Sequence, residues 1–137
     1  MMIYDADNQI LGRIASVIAK QLLKGENVIV VNSEKALVSG NPKNKQKFYY
    51  ERIKRGDPIH GPFFPKNPDA IFKRAVRGML PWDRPRGREA YKNLKVFVGI
   101  PEKYKNEKME RIKVADASKL KCKTIILKDL SKNLGGR

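Results

Sequence analysis

The chain has 137 residues, enough for one domain with a hydrophobic core and too few for two ordinary domains. It contains 30 lysine and arginine residues against 14 aspartate and glutamate residues, a formal charge of +16 that a small domain seldom carries unless a polyanion neutralises it. Its apolar runs fall far short of the roughly 20 residues that span a bilayer, and its start lacks a secretory signal, so we expect one intracellular domain, residues 1–137, bound to nucleic acid or an anionic membrane surface.

The positive charge is concentrated in the middle of the chain. Residues 1–40 hold four basic and four acidic residues, residues 41–95 hold fifteen and five, and residues 96–137 hold eleven and five. A merely solvated surface would carry a closer balance of both signs. We therefore predict a scaffold in the first third, a basic RNA-binding region at 41–95 and a peripheral charged C-terminal segment at 102–137.

The first third has the pattern of a β-α-β unit. Residues 2–6 are typical of a short strand, and Asp7 and Asn8 offer oxygens that could cap a helix. Gly25 stands where that helix would close. Residues 27–32 are mostly β-branched, as in a strand buried on both faces of a parallel sheet. The apolar residues of the helix fall on one stripe: Leu11, Ile14, Ala15, Ile18 and Leu22.

A second helix is predicted from Pro42 to about Arg55, after a turn at residues 39–41 in which either Ser39 or Asn41 is the cap. Phe48, Tyr49 and Ile53 form its narrow apolar seam. Nearly all its other positions are basic, namely Lys43, Lys45, Lys47, Arg52, Lys54 and Arg55. We expect this helix to bury only a thin strip.

Residues 56–68 are rich in glycine and proline and predict an irregular loop of a length usually associated with function. Phe63 and Phe64 either stack on RNA bases or pin this loop to the core. His60, the only histidine, is better explained as a loop residue or RNA contact than as a general base.

A third helix is predicted to begin at residues 67–69 and to end at Pro81. Gly78 is assigned to close packing and Met79 to the core. The predicted apolar stripe consists of Phe72, Ala75, Val76 and Met79, and the basic residues on the other faces are Lys73, Arg74 and Arg77.

The sharpest basic cluster follows, with Arg84, Arg86 and Arg88 on alternate residues beside proline and glycine. We predict that these arginines lie outside any helix or sheet. A short helix around residues 89–93 and a last core strand at 95–99 come next. Beyond them, a short apolar run at 124–127 leads to a final amphipathic turn and a frayed end.

Enzymatic motifs are missing from the sequence. It contains neither G-x-G-x-x-G after the first strand nor a G-x-x-x-x-G-K-[ST] phosphate loop. With His60 as the sole histidine and Cys122 as the sole cysteine, neither a Cys/His zinc site nor a nucleophile and base pair is supported. We predict a protein that is not an enzyme and that has no cofactor and no metal.

Several segments resemble one known family. Residues 76–81, Val-Arg-Gly-Met-Leu-Pro, then 86–88, Arg-Gly-Arg, and 94–101, Leu-Lys-Val-Phe-Val-Gly-Ile-Pro, are similar to the signature of the universal large-subunit ribosomal protein family L-thirteen. Shorter stretches at 11–13, 25–28, 31–35 and 39–41 agree in order. The start at the first strand, residues 39–41 and the loop at 61–63 resemble the archaeal and eukaryotic branch, and the short C-terminus favours an archaeal member.

The resemblance implies an α/β fold, a three-layer α/β/α sandwich around a small, mostly parallel sheet of about four strands. It also implies a structural constituent of the large ribosomal subunit, located in the cytoplasm. Such a protein binds large-subunit ribosomal RNA, meets neighbouring ribosomal proteins and supports early assembly. The residues by themselves indicate only a basic α/β protein that binds RNA.

Basic side chains are expected to neutralise RNA phosphates, and arginines can also stack on bases. Arg13 is equally consistent with RNA contact and with a role in fixing its own helix. A free-standing regulator and an RNA-modifying enzyme are the alternatives, but the sequence shows neither a compact recognition motif nor an activated nucleophile. The predicted RNA-binding residues are Arg84, Arg86 and Arg88 first, then Arg77, Arg74, Lys73, Arg52, Arg55, Lys43, Lys45, Lys47, Lys92 and His60.

Overall fold

The computed structural model describes residues 1–55, 59, 60 and 64–135. Short 3-10 helices connect several of its elements, at Ser33–Lys35, Glu102–Tyr104, Lys113–Ala115 and Ala117–Lys119. The main elements in chain order are β1 (Met2–Asp5), α1 (Leu11–Leu23), β2 (Val28–Val31), β3 (Leu37–Ser39), α2 (Pro42–Lys54), α3 (Pro68–Arg77), α4 (Pro85–Lys92), β4 (Leu94–Val96), β5 (Thr124–Ile126) and α5 (Leu127–Asn133).

The principal sheet is parallel, with strand order β1-β2-β4. Met2 pairs with Val28, and Val28 pairs in turn with Leu94. This confirms the predicted α/β class with a small, mostly parallel sheet. Among the described residues, the principal sheet has three strands instead of the predicted four or so, and β3 and β5 form a separate antiparallel pair. That pair joins segments far apart in sequence, which no local pattern reveals.

The two faces of the principal sheet are covered differently. Because successive side chains of a strand point to opposite faces, Val28 and Val30 of β2 enter the main core with α1 and α3, whereas Ile29 and Val31 enter a second cluster. Tyr104 is also buried in the second cluster, and the partly buried Phe97 and Met109 pack against it. One face is therefore packed by helices and the other by the 97–110 segment with its short 3-10 helix.

Helix α1 buries the whole predicted stripe, with Leu11, Ile14, Ala15, Ile18 and Leu22 each no more than 5% exposed. Its start differs from the prediction: the N-cap is Ile10, without a side-chain cap, and Asn8 lies in a left-handed turn at φ 56°. The Ile10 N–H instead donates to the Ala115 carbonyl oxygen over 2.7 Å. Backbone contact with a distant segment thus satisfies the N–H of the N-cap residue, and the side-chain cap expected from Asp7 or Asn8 is not formed. Gly25, at φ 89°, closes the helix as predicted.

The C-terminal segment was expected to be peripheral, and from β5 onward this is wrong. Leu127 and Leu130 are fully buried in the main core, and Ile125 and Leu134 are nearly so. The Ser131 hydroxyl also donates to the Lys66 carbonyl oxygen over 2.6 Å. The sequence did not indicate this burial, because the apolar stripe of the segment is short and its neighbouring residues are highly charged.

Strand β4 is shorter than the predicted strand at 95–99 and is not the last strand of the fold. Val98 is 56% exposed, and Gly99 has a φ of 72°, which ends the extended path. The Gly99 N–H donates to a carboxylate oxygen of Glu34 over 2.9 Å. The conformation that glycine permits here turns the chain away from the sheet.

Candidate nucleic-acid interface

Helix α2 begins as the sequence predicts. Asn41 is the N-cap and its side-chain oxygen accepts from the Lys43 N–H over 3.1 Å, with Pro42 in the first turn. No residue of α2 is fully buried. Tyr49 and Ile53 pack against the main core and are partly buried. Phe48 was predicted to belong to the same apolar seam, but its side chain is 46% exposed. The helix thus contributes little apolar burial to the fold.

The basic side chains of α2 face outward. Lys43, Lys47, Arg52, Lys54 and Arg55 are exposed, and Lys45 is half-buried. The Arg52 guanidinium lies 4.4 Å from the centroid of the Phe48 ring and 5.8 Å from that of Phe64. These contacts place Arg52 on aromatic faces and hold it in position while leaving its charge available.

Phe64 packs against the main core, 5.6 Å from the Tyr49 ring between centroids. This contact favours the interpretation that the loop is pinned to the core; Phe63, the other candidate, lies outside the described residues. Burial raises the pKa of the Tyr49 hydroxyl, and the nearby Arg52 opposes this increase only in part. Tyr49 therefore stays neutral at physiological pH and serves as a packing contact between α2 and the core.

A groove of about 400 Å³ lies between the start of α1, β3, α2 and α3. Arg13, Ser39, Lys45 and Tyr49 line it together with residues of α1 and α3. A guanidinium nitrogen of Arg13 donates to the Val114 carbonyl oxygen over 3.4 Å. The Arg13 side chain is therefore held by a contact within the protein. It is still exposed and contributes positive charge to the groove.

The predicted arginine loop is in fact the beginning of a helix. Arg84 is the N-cap of α4, Pro85 occupies its first turn, and Arg86 and Arg88 lie within it. Proline is favourable at the first helical position because its missing N–H needs no partner there. Since residues two apart in a helix point about 200° apart, Arg86 and Arg88 diverge. Arg86 contacts the Leu23 carbonyl oxygen at the end of α1, and Arg88 contacts that of Trp82.

Two cations of α3 lie on an aromatic pair, Trp82 shortly before α4 and Tyr91 in its last turn. The Arg77 guanidinium is 4.3 Å from the Trp82 ring centroid, and the Lys73 ammonium is 4.9 Å from that of Tyr91. Trp82 and Tyr91 meet edge to face with centroids 5.1 Å apart. All four side chains are partly exposed. We call these four residues the α3-α4 aromatic cluster.

Gly87 allows the start of α4 to pack closely against the backbone of Pro81, next to this cluster. A Cβ atom added to Gly87 would overlap the backbone carbonyl of Pro81, whereas one added to Gly78 would meet its nearest neighbour at 3.6 Å, an ordinary contact distance. Close packing was expected at Gly78, and this is wrong. Gly78 also has ordinary helical angles, and α3 ends one residue before it. Because α3 ends at Arg77, Met79 lies beyond the helix and outside the predicted apolar stripe. Its side chain is 43% exposed and is not part of the core.

Replacing Gly87 by alanine is expected to lower the free energy of unfolding by about 1–3 kcal/mol, because the backbone around Pro81 must move. Gly78→Ala is the matched control and should change stability by less than about 1 kcal/mol, with a gain as the favoured direction. Urea unfolding followed by circular dichroism measures both. Equal losses in the two variants would show that the Pro81 contact is unimportant.

The remaining predicted residues occupy separate places. Lys92 is exposed in the last turn of α4, Arg74 is exposed on α3, and His60 is exposed in a turn at the edge of the described residues. The structure thus gathers Lys73 and Arg77 into one cluster and the α2 cations into another, and it does not bring Arg84, Arg86 and Arg88 together. The sequence prediction missed Tyr91 and the role of Trp82, although aromatic residues within a basic segment are a recognisable signal for nucleic acid.

Over the described ranges, no helix is both long and apolar enough to cross a membrane. Within the same ranges, no three histidine, cysteine, aspartate or glutamate residues are grouped so that they could hold a metal ion.

The sequence was compared with known proteins. Residues 1–103 match the family model described as "Ribosomal protein L13". A protein of Methanosarcina barkeri named "Large ribosomal subunit protein uL13" is 46% identical over 141 residues, covering 100% of this chain and 99% of the relative. Proteins of the same name from Methanopyrus kandleri and Archaeoglobus fulgidus are 46% and 45% identical, covering 97% and 98% of this chain and 86% and 88% of those relatives. All three relatives are archaeal, in agreement with the branch that the sequence indicated, and the chain belongs to the ribosomal protein L13 family.

Proposed function

We propose that this chain is a structural constituent of the large ribosomal subunit in the cytoplasm, that it binds large-subunit ribosomal RNA, and that it supports early subunit assembly. The observation that carries the proposal is α2, a helix of 13 residues with no fully buried residue and a surface of exposed cations. An isolated helix of this length is marginal in water. A polyanion lying along it would offset both its charge repulsion and its limited packing.

Family membership supports the coarser part of this function. The matched family is one of structural ribosomal proteins, and the relatives are named as proteins of the large ribosomal subunit. The prediction that the chain is not an enzyme is confirmed by this membership. Neighbouring large-subunit proteins are further partners that we infer for this chain.

The proposed mechanism is electrostatic and architectural. Cations on α2 bind phosphates that RNA folding brings close together, and they release the counterions that had neutralised those phosphates. Arginines fork onto phosphate oxygens or lie flat on exposed bases, which lysines do less well. Binding therefore favours one compact RNA arrangement. The residues that we assign to RNA contact are Arg84, Arg86, Arg88, Arg77, Arg74, Lys73, Arg52, Arg55, Lys43, Lys45, Lys47, Lys92 and His60.

Sucrose-gradient fractionation of the source cells in low and in high salt tests the ribosomal role, with the chain quantified by mass spectrometry. We expect one copy per large subunit in both conditions, because a structural constituent is enclosed by RNA contacts and does not exchange. A loosely bound cytosolic basic protein provides the comparison and should leave the subunit in high salt. Recovery of the chain mainly in the free fraction would contradict the proposal.

A further inference from the structure

The α3-α4 aromatic cluster combines a cation held over an aromatic ring with a second ring that braces the first, an arrangement that Arg52, Phe48 and Tyr49 repeat on α2. In this cluster the Arg77 guanidinium lies over the indole of Trp82, the only tryptophan in the sequence, 4.3 Å from the ring centroid, and Tyr91 meets that indole edge to face. A guanidinium held over a ring has fewer accessible orientations, so it loses less conformational entropy when a further planar group joins it.

Three contacts fix the backbone that carries the cluster. Leu80 is buried in the main core, Gly87 admits the Pro81 carbonyl against the first turn of α4, and the Arg88 Nε–H donates to the Trp82 carbonyl oxygen over 2.9 Å. Trp82 is therefore fixed by its neighbours before any ligand arrives. Such preorganisation is what a stacking platform requires.

The cluster is also open and positively charged. Arg77, Trp82 and Tyr91 are only half-buried, Arg74 is exposed on the same helix, and Met79 beside them is 43% exposed. Arg77 and Lys73 contact aromatic rings, and ring contacts leave their charge unneutralised. A ligand that satisfies both properties has a planar face and an attached phosphate.

We propose that the α3-α4 aromatic cluster binds one unpaired RNA base, which stacks on Arg77, while Trp82 acts as the positioning residue that holds the guanidinium flat. Lys73 and Arg74 then lie where they can neutralise the adjoining phosphates. The ligand is single-stranded because a paired base in an A-form helix hides its faces within the stack. This inference rests on the proposed RNA-binding function and names the kind of nucleotide that one part of the surface takes.

The test uses the full chain and two RNA probes with eight phosphates each, a single-stranded oligoadenylate of nine nucleotides and a four-base-pair duplex closed into a stable hairpin by a linker that is attached through a phosphate at each end. Because Trp82 is the sole tryptophan, its fluorescence reports binding at the cluster directly. We expect the oligoadenylate to quench this fluorescence and the duplex to leave it almost unchanged. Quenching by both probes to the same degree would overturn the proposal.

Arg77→Lys keeps the charge and removes the planar stack, and Arg111→Lys is its control, on an exposed arginine that is not assigned to RNA contact. Stacking of one base is worth roughly fivefold to 150-fold in affinity. Arg77→Lys should therefore weaken oligoadenylate binding by at least about fivefold, and Arg111→Lys by less than about twofold. Equal effects of the two substitutions would overturn the proposal.

Trp82→Phe supplies a second route, with binding followed by the anisotropy of a labelled oligoadenylate. A smaller ring should hold Arg77 less firmly and weaken binding in the same direction, with the thermal midpoint showing that the chain is folded. Unchanged affinity in both Arg77→Lys and Trp82→Phe would make the cluster purely structural. That result would not affect sedimentation of the chain with large subunits, so failure of this inference is distinguishable from failure of the proposed function.

Discussion

Replacing Leu130 by alanine is expected to lower the free energy of unfolding by about 2–5 kcal/mol, the range for a large apolar side chain removed from a packed core. Leu130 is fully buried on α5 and belongs to the same core cluster as α1 and α3. The loss includes the transfer of the side chain to water and the cavity left behind. Urea unfolding of the full chain, followed by Trp82 fluorescence and by circular dichroism, measures it.

Lys128→Ala is the matched control, since Lys128 is exposed on the same helix. It should change the free energy of unfolding by no more than about 0.5 kcal/mol. The comparison shows whether the segment beyond residue 103, outside the part matched by the family model, belongs to the cooperative fold. A Leu130→Ala variant with unaltered stability would mean that α5 docks weakly and that the main core is complete without it.

Replacing Lys43 and Lys47 of α2 and Arg55 at its C-cap together by alanine is expected to weaken binding to a large-subunit ribosomal RNA fragment on the order of 100-fold at 0.1 M salt. Each phosphate contact contributes roughly 0.7–0.9 to the slope of log affinity against log salt, so the slope should fall by about 2 to 3. Extrapolating that change from 1 M salt, where the counterion contribution vanishes, gives the stated loss. Filter binding at several salt concentrations determines both quantities.

The control removes the same charge from another exposed region, with Lys105, Lys108 and Lys113 replaced by alanine. We expect a clearly smaller change in the salt slope because these lysines lie outside the proposed interface. The α2 variant should retain its thermal midpoint, since its three side chains are exposed and no residue of α2 is fully buried. Equal losses in the two variants would show that net charge, and not the placement of α2, governs binding.

The arginines at 84, 86 and 88 show how secondary structure changes the interpretation of a motif. In an extended loop, alternate residues would lie on one side and could act on one phosphate group. In α4 they diverge, and Arg86 contacts the end of α1, where a cation is favourable beside free carbonyl groups. The sequence ranks Arg77 and Arg52 below them, yet the structure places both of these arginines on aromatic faces.

The sequence by itself determined whatever depends on local periodicity and on charge. The α1 stripe, the doubly buried β2, the Asn41 cap of α2 and the concentration of cations in 41–95 are each visible in a short window. Backbone geometry sets these signals, because a helix repeats every 3.6 residues and a strand every two. The resemblance to a ribosomal family also arose from linear motifs.

Only the tertiary structure decided which distant segments meet. The β3-β5 pair, the core position of Leu130, the Ile10 contact with Ala115 and the Gly87 contact with Pro81 each join residues whose partners no local pattern specifies. Their energies come from burial and close packing between elements, so they depend on how the whole chain folds back on itself. The same folding places the Arg77 guanidinium on Trp82 and separates arginines that the sequence had set side by side.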